Sequence, residues 1–362
     1  MKTAPGKRVL TRGCIKMPAK IIIVTGISGS GSGAFCARYP TGGKKVKTYR
    51  TGDMLYEFAR EYSPIPIPRE NLLNLQPEAL ANLRDKVFRK IIDNLERDRG
   101  EYDLIFIDTH AQFFWNNVYE NAYDWNHLNK IPMDMFITII NKPSVIKGNQ
   151  LKKVMGRAQT HDLRDLLLWQ NIEVNVTKGW ASNYQKPMYV FSAKQNPAII
   201  NALLDNLFLV YSSFPMTEVS GEDTQKINNF KERIRNLRKE IDGQETPVID
   251  PADIDAELGE GISKAEKDAI DRQTVHRDMN WDIAQATHVV AYYPSSEVSL
   301  SKGVSDECTR ARETGKYVFV IIPKAHLSPF MDIAHKVFKN EEEFFVFFRE
   351  HMRQSLEHFK RK

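Results

Sequence analysis

Short apolar runs rich in β-branched residues alternate along this chain with longer segments of helical periodicity, and this alternation most restricts the fold. Such runs occupy residues 21–24 and 104–107 in the first half and 289–292 and 317–321 in the second. Strands that are apolar on both faces and separated by amphipathic helices are typical of parallel sheets covered by helices on both sides. We therefore predict an α/β fold.

The same alternation begins a second time after residue 206. A chain of 362 residues is long enough for two domains. We predict one domain over residues 20–206 and another over 207–362. The aromatic C-terminal segment, from about Glu341, is predicted to be a helix whose Phe and Met side chains pack on the second domain.

The distribution of charge along the chain restricts which anionic partners the protein can bind. Residues 1–20 contain six Lys or Arg and no acid, whereas the whole chain has a formal charge of +5. The remainder is nearly neutral, which argues against nucleic-acid binding outside the basic segment 1–19. We predict that this segment is a disordered extension, with contact to nucleic acid or to an anionic surface as the alternative.

Other features indicate the compartment. No apolar run reaches the roughly 20 residues that cross a bilayer, and no secretory signal precedes the first strand. The three cysteines are scattered and form no CxxC pair. We therefore expect a cytoplasmic protein with no membrane partner, disulfide or zinc site.

The segment VTGISGSGSGAF connects the first apolar run to a helix. Gly26 and Gly31 have the spacing of a phosphate-binding loop, in which backbone N–H groups surround a phosphate, a lysine contacts it and a hydroxyl binds Mg²⁺. Here Ser32 and Gly33 occupy the lysine and hydroxyl positions. An anion-binding loop without these two groups is predicted, and a simple Gly/Ser turn is the alternative. The predicted phosphate-binding residues are Gly26, Ser28, Gly29, Ser30, Gly31, Ser32 and Gly33.

The first half resembles the archaeal-type adenylate kinases in this loop and in the segments TGDMLYEFAREY and LIFIDTHA. The resemblance implies a P-loop kinase-like sheet, ATP as a ligand, and Asp108 holding Mg²⁺ through water. The segment RAQTHDLRDLLLWQN resembles the lid helix of that family, which implies phosphate contacts from Arg157 and Arg164 and base recognition by Gln170. The family keeps a hydroxyl residue where this chain has Gly33, and this departure argues against kinase activity.

The second half resembles the nucleoside 2-deoxyribosyltransferases and, more closely, the 2′-deoxynucleoside 5′-phosphate N-hydrolases. The resemblance rests on HRDMNW, on the following apolar strand and on SKGVSDE, and it implies a flavodoxin-like or Rossmann-like domain. The loop after the first strand departs from the glycine-rich pattern of the N-hydrolases. The implied catalytic residues are Glu307, Asp278 and Tyr211, and the implied substrate-binding residues are Ser301, Gly303, Val304, Ser213 and Trp281.

These residue types suit cleavage of an N-glycosidic bond. One carboxylate stabilises or captures an oxocarbenium-like centre at C1′, and a second acid protonates the departing base. Glu307 fits the first role and Asp278 the second. Ser301, beside a helix N-terminus, suits a 5′-phosphate, and Gly303 lets the backbone approach the sugar. Taken alone, Glu307 would be a glutamate in the first turn of a helix that interacts with the helix dipole.

We therefore predict an N-glycosidase, either a hydrolase or a transferase, that acts on a nucleoside or deoxynucleoside 5′-phosphate and binds a second nucleotide at the loop. The alternatives are a nucleoside monophosphate kinase, a nucleotide sensor and an NAD-degrading effector. Glycosidic cleavage requires no cofactor, whereas Mg²⁺ and ATP are candidate ligands of the first half. Relatives of the second half complete their pocket with a neighbouring subunit, so the resemblance implies a homodimer or larger assembly.

Overall fold

The computed structural model describes most of the chain. The described residues are 17–62, 65, 67–153, 161–205, 208–215, 219, 221–254, 263–323 and 333–360. The predicted extension up to residue 16, the predicted boundary at Asn206 and the predicted lid residue Arg157 lie outside these ranges.

The described residues form two five-stranded parallel sheets and one antiparallel hairpin. The sheet orders are β2-β3-β1-β6-β7 and β12-β11-β10-β8-β9, and β4 pairs with β5. The prediction of an α/β fold with parallel sheets is confirmed. The strands are β1 (Lys20–Thr25), β2 (Val46–Arg50), β3 (Leu104–Thr109), β4 (Gln112–Trp115), β5 (Val118–Asn121), β6 (Met135–Ile140), β7 (Met188–Ser192), β8 (Val210–Ser213), β9 (Val248–Ile249), β10 (His288–Tyr292), β11 (Tyr317–Ile321) and β12 (Lys336–Phe338).

Helices connect these strands, and local sequence signals start several of them. Ser263 and Glu266 form a capping box, as do Asp162 and Asp165. Among the described residues, no helix has the length and the apolar run needed to cross a bilayer. The helices are α1 (Ser32–Ala37), α2 (Thr51–Tyr62), α3 (Pro77–Glu101), α4 (Trp125–Leu128), α5 (Pro143–Lys153), α6 (Leu163–Tyr184), α7 (Ile199–Asp205), α8 (Gly221–Leu237), α9 (Lys239–Asp242), α10 (Lys264–Arg277), α11 (Ile283–Gln285), α12 (Lys302–Glu313) and α13 (Glu341–Lys360).

The strand order places both candidate sites at the carboxyl edge of a sheet. In the second sheet, β8 lies between β9 and β10, which is the order 2-1-3-4-5 of doubly wound flavodoxin-like sheets. Ligands of open α/β sheets bind outside the carboxyl ends of the strands, where successive connections diverge. The glycine loop follows β1 at the centre of the first sheet, and α12 follows β10 in the second.

The two sheets share buried packing. One apolar cluster contains Phe191 of the first sheet together with Val289 of the second. The side-chain amide of Gln285 also pairs with the edge strand β7, accepting from Val190 N at 2.7 Å and donating to Val190 O at 2.8 Å. In α13, Phe344, Phe345, Phe348 and Met352 are buried, which confirms the predicted core packing of this helix.

We expect Gln285→Met to lower the free energy of unfolding by about 1–3 kcal/mol, because a thioether of similar shape leaves the Val190 N–H and C=O without these bonds. Urea denaturation measures the change. Gln225→Met, on the exposed face of α8, is the control and should shift stability by less than about 0.5 kcal/mol. Equal effects of the two substitutions would contradict the prediction.

Candidate functional site

The loop between β1 and α1 needs glycine for geometric reasons. Gly29 and Gly31 have φ angles of 89° and 100°, in the left-handed region that side chains disfavour. A Cβ on Gly26 would lie 2.8 Å from the carbonyl oxygen of Ile139. Backbone conformation and close packing therefore account for these three glycines.

Three consecutive carbonyls of this loop accept hydrogen bonds from side-chain amides that follow β6. Bonded carbonyls have fixed directions, so these amides stabilise one conformation of the loop. The bonds run from Gln150 Nε2 to Ser28 O (2.7 Å), from Asn149 Nδ2 to Gly29 O (2.9 Å) and from Asn141 Nδ2 to Ser30 O (3.0 Å).

A cavity of about 550 Å³ opens beside the loop, where β1, β2 and β3 end. Its size falls within the range of small-molecule sites. Backbone of the loop forms one wall, including Gly29, Gly31 and Gly33. The charged lining residues are Arg50, Asp53, Arg69, Asp108 and Lys152.

Arg50 and Asp108 lie side by side because they are register partners at the carboxyl ends of the neighbouring strands β2 and β3. Arg50 Nε is 3.8 Å from Asp108 Oδ2, and Arg50 Nη1 is 3.0 Å from Asp53 Oδ2. Arg69 Nη2 also contacts Asp53. The carboxylate predicted to hold Mg²⁺ through water therefore faces a guanidinium group.

Glu173 on α6 bonds to the backbone that follows β1 and to the backbone that follows β3, and no sequence motif predicted this role. Its Oε1 accepts from the backbone N–H groups of Gly26 (3.0 Å) and Ala111 (2.8 Å), and its Oε2 accepts from that of Gln112 (2.9 Å). Burial raises the pKa of Glu173 to about 7, against the opposing effect of the three N–H bonds. The only sequence signal was its position on the buried stripe of α6 that includes Leu166.

The second site centres on the carboxylate of Glu307. Tyr211 Oη donates to Glu307 Oε1 at 3.0 Å, and Ser213 Oγ donates to Glu307 Oε2. Both donors lie on β8 and are fully buried. The alternative view of Glu307 as a first-turn glutamate is wrong, because α12 begins at Lys302 and Glu307 lies in its second turn.

Asp278 is close enough to Tyr211 for its charge, like that of Glu307, to raise the pKa of the phenol. It begins a π-helical turn, Asp278–Asp282, that contacts α12, and such turns are frequent at functional sites. Arg277 donates from Nε (2.9 Å) and Nη2 (2.8 Å) to Asp278 Oδ1. Burial, followed by the charges of Glu307, Asp278 and Asp282, raises the pKa of Tyr211 well above its ordinary value.

The other predicted residues of this half have varied surroundings. Ser301 caps α12, its Oγ accepting from Val304 N at 3.5 Å, while the Val304 side chain is buried in the core. A Cβ on Gly303 would meet only Ser301 Oγ, at 3.7 Å, so the space beside Gly303 is open. The indole of Trp281 is buried in a cluster with Val190 of the first sheet.

The described residues of the predicted lid helix do not line the 550 Å³ cavity. Arg164 is exposed near the start of α6. Gln170 is buried, and its Oε1 accepts from Asn141 N at 2.8 Å. Gln170 instead borders a small cavity of about 20 Å³ between the two sheets, together with Arg277 and Trp281.

Comparison with known proteins identifies no family: no family model and no curated protein matches this chain. Among solved structures it is similar to a GTPase from Pyrococcus abyssi in its apo form, with a TM-score of 0.30 and 14% identity over 83% of this chain and 98% of the GTPase chain. It is also similar to the Pnkp1/Rnl/Hen1 RNA repair complex, with a TM-score of 0.30 and 12% identity over 91% of this chain and 98% of the matched chain. Similarities at this TM-score establish neither a common fold nor a common function.

The raised pKa of Glu173 predicts a pH-dependent stability. The unfolded chain releases this proton near pH 4.5 and the folded chain near pH 7, so the free energy of unfolding should fall as pH rises between these values. The full difference corresponds to roughly 3 kcal/mol. Glu173→Gln, which has no proton to lose, should flatten this part of the profile in urea denaturation. The control Glu78→Gln, at an exposed position, should retain the slope; a variant at Glu173 that also retained it would disprove the assignment.

Proposed function

We propose that this protein cleaves the N-glycosidic bond of a nucleoside or deoxynucleoside 5′-phosphate at Glu307 and binds a second nucleotide at the glycine loop. One observation carries the proposal: both oxygens of the Glu307 carboxylate accept hydrogen bonds from hydroxyl groups, those of Tyr211 and Ser213, at the carboxyl edge of the second sheet. The resemblance of the SKGVSDE block to N-hydrolases supports the same assignment.

The surroundings of Glu307 hold its carboxyl group in one orientation. A carboxylate is acceptor-only, and hydrogen bonds to its oxygens stabilise the charged form. The raised pKa of Tyr211 keeps its phenol protonated at neutral pH, so it remains a donor. A negative charge held in a fixed direction is what a developing positive charge at C1′ requires.

In the proposed reaction, the bond between C1′ and the base nitrogen breaks and its electron pair leaves with the base. Glu307 stabilises the resulting oxocarbenium ion or forms a bond to C1′. Water then adds at C1′ and releases a proton, and in the covalent route the C1′–Glu307 bond breaks with its electron pair returning to the carboxylate. Asp278 relays a proton to the departing base. The two bonds from Arg277 to Asp278 Oδ1 orient that carboxyl group.

The N-terminal end of α12 suits a sugar phosphate. The open space beside Gly303 leaves room for a ribose to approach the backbone. The Ser301 oxygen accepts a backbone N–H, so its hydroxyl hydrogen remains available to a phosphate oxygen. We propose on this basis that nucleotides are preferred over free nucleosides.

The glycine loop serves binding in this proposal. Phosphoryl transfer in P-loop enzymes uses the loop lysine and the following hydroxyl residue, and this chain has Ser32 and Gly33 there. A nucleotide at the 550 Å³ cavity would therefore bind without transferring its phosphate.

Free bases released from ribonucleoside and deoxyribonucleoside monophosphates, triphosphates and NAD, measured by chromatography with and without ATP, test the proposal. We expect release from at least one monophosphate and a loss of at least about 1,000-fold in Glu307→Gln, because the nucleophile is removed. Asp306→Asn, an exposed neighbouring carboxylate in the same helix, should keep the activity.

Several outcomes would contradict the proposal. Ligand binding with no base released from any substrate would favour a sensor, and release from NAD alone would favour an NAD-degrading effector. Phosphate transfer from ATP that disappears in Asp108→Asn would favour a kinase. Activity that survives Glu307→Gln would remove Glu307 from the mechanism.

A further inference from the structure

The residues beside the glycine loop do not fit the Mg²⁺ ion that a P-loop implies. In such loops a Ser or Thr hydroxyl binds the metal, and a strand-end acid holds it through water. In this chain the hydroxyl position is Gly33 and the strand-end acid is Asp108. A Cβ on Gly33 would lie 2.8 Å from Arg50 Nη2 and 3.0 Å from Asp108 Oδ2, so a side chain at this position would require the end of the Arg50 side chain to move.

The guanidinium group of Arg50 occupies this space because of the fold. Arg50 is the last residue of β2, and its register partner on β3 is Asp108. Its Nη1 also lies 3.0 Å from Asp53 Oδ2, so two carboxylates hold the guanidinium against the backbone of Gly33. A divalent cation at the same place would be repelled by this positive charge.

The charged lining of the cavity suits an anion. Arg50, Arg69 and Lys152 line it together with two carboxylates, Asp53 and Asp108. The cations outnumber the acids, and guanidinium groups match phosphate oxygens with paired donors. The glycine loop forms one wall of the same cavity through Gly29, Gly31 and Gly33, and side-chain amides hold its carbonyls at Ser28, Gly29 and Ser30.

We propose that this cavity binds the phosphate chain of a nucleotide without Mg²⁺, and that the guanidinium group of Arg50 supplies the positive charge that the metal supplies in P-loop enzymes. The proposal rests on the nucleotide-binding part of the proposed function and is independent of Glu307. It also explains why residue 33 is glycine: a hydroxyl side chain there would displace Arg50.

Calorimetric titration of the full-length protein with ATP, in excess EDTA and in excess MgCl₂, tests the proposal. We expect dissociation constants that agree within about threefold in the two conditions. Excess tripolyphosphate without metal should displace ATP, because the phosphate chain is the recognised group. Binding that requires Mg²⁺ would overturn the metal-free site and leave nucleotide binding intact. No binding in either condition would overturn both, and failure of tripolyphosphate to compete would place the nucleotide elsewhere and overturn this site.

Variants at Arg50 and Lys47 test whether the guanidinium group of Arg50 is responsible for metal-free ATP binding. Arg50→Ala should weaken metal-free ATP binding at least about tenfold, as expected for loss of a charge-assisted phosphate contact. Lys47→Ala removes the same charge from the same strand, outside the described cavity lining, and should change binding less than threefold. The double variant Arg50→Ala, Gly33→Thr provides both space and a hydroxyl, and its ATP binding should become tighter with Mg²⁺.

Folding of each variant is checked by its urea midpoint. The Arg50 side chain is 55% exposed, so its removal should leave the midpoint close to that of the wild type. Wild-type affinity for ATP in EDTA after Arg50→Ala would overturn the role of the guanidinium. The conservative variant Arg50→Lys keeps the charge without the paired donors, and we expect it to bind with an affinity between those of the wild type and the alanine variant.

Discussion

The buried carboxylate of Glu173 is the interaction on which the first site depends. By bonding to backbone N–H groups of Gly26, Ala111 and Gln112, it joins α6 to the ends of β1 and β3. Burying a carboxylate is unfavourable, and its pKa is raised to about 7, but the three N–H bonds offset part of that cost. The glycine loop therefore begins from a backbone already held by protein contacts. The amides after β6 then fix the rest of its shape, so the loop is preorganised before any ligand binds.

The two proposed sites lie at equivalent edges of their sheets and differ in electrostatic design. Around Glu307, neutral hydroxyls hold a negative charge, which suits a positive centre developing at C1′. Beside the loop, Arg50 is held by carboxylates, and the cations that line the cavity suit a phosphate chain. Residues of both halves line a small cavity, among them Asn141, which bonds to the loop, and Arg277, which bonds to Asp278.

The sequence predicted some features of these sites and missed others for identifiable reasons. The resemblance to the N-hydrolases implied that Glu307, Tyr211 and Ser213 belong to one site, and the structure brings these three side chains into contact. Strand β2 was not predicted: it is a partly exposed edge strand, and VKTYR mixes polar and apolar residues. Without that strand, the position of Arg50 opposite Asp108 could not be inferred. Glu173 was missed because a glutamate on an amphipathic helix usually faces solvent.

What the sequence by itself determined was the parallel α/β architecture, the glycine requirement of the loop and the residue types at each strand end. Hydrophobic periodicity and backbone conformation are local properties, so the order of residues is enough to predict them. Only the tertiary structure decided which charges face each other, because ion pairs such as Arg50 with Asp108 depend on sheet order and register. The sequence alone indicated a phosphate-binding loop that lacks its metal-binding hydroxyl. The ion pair shows in addition that a guanidinium group occupies the space beside Gly33.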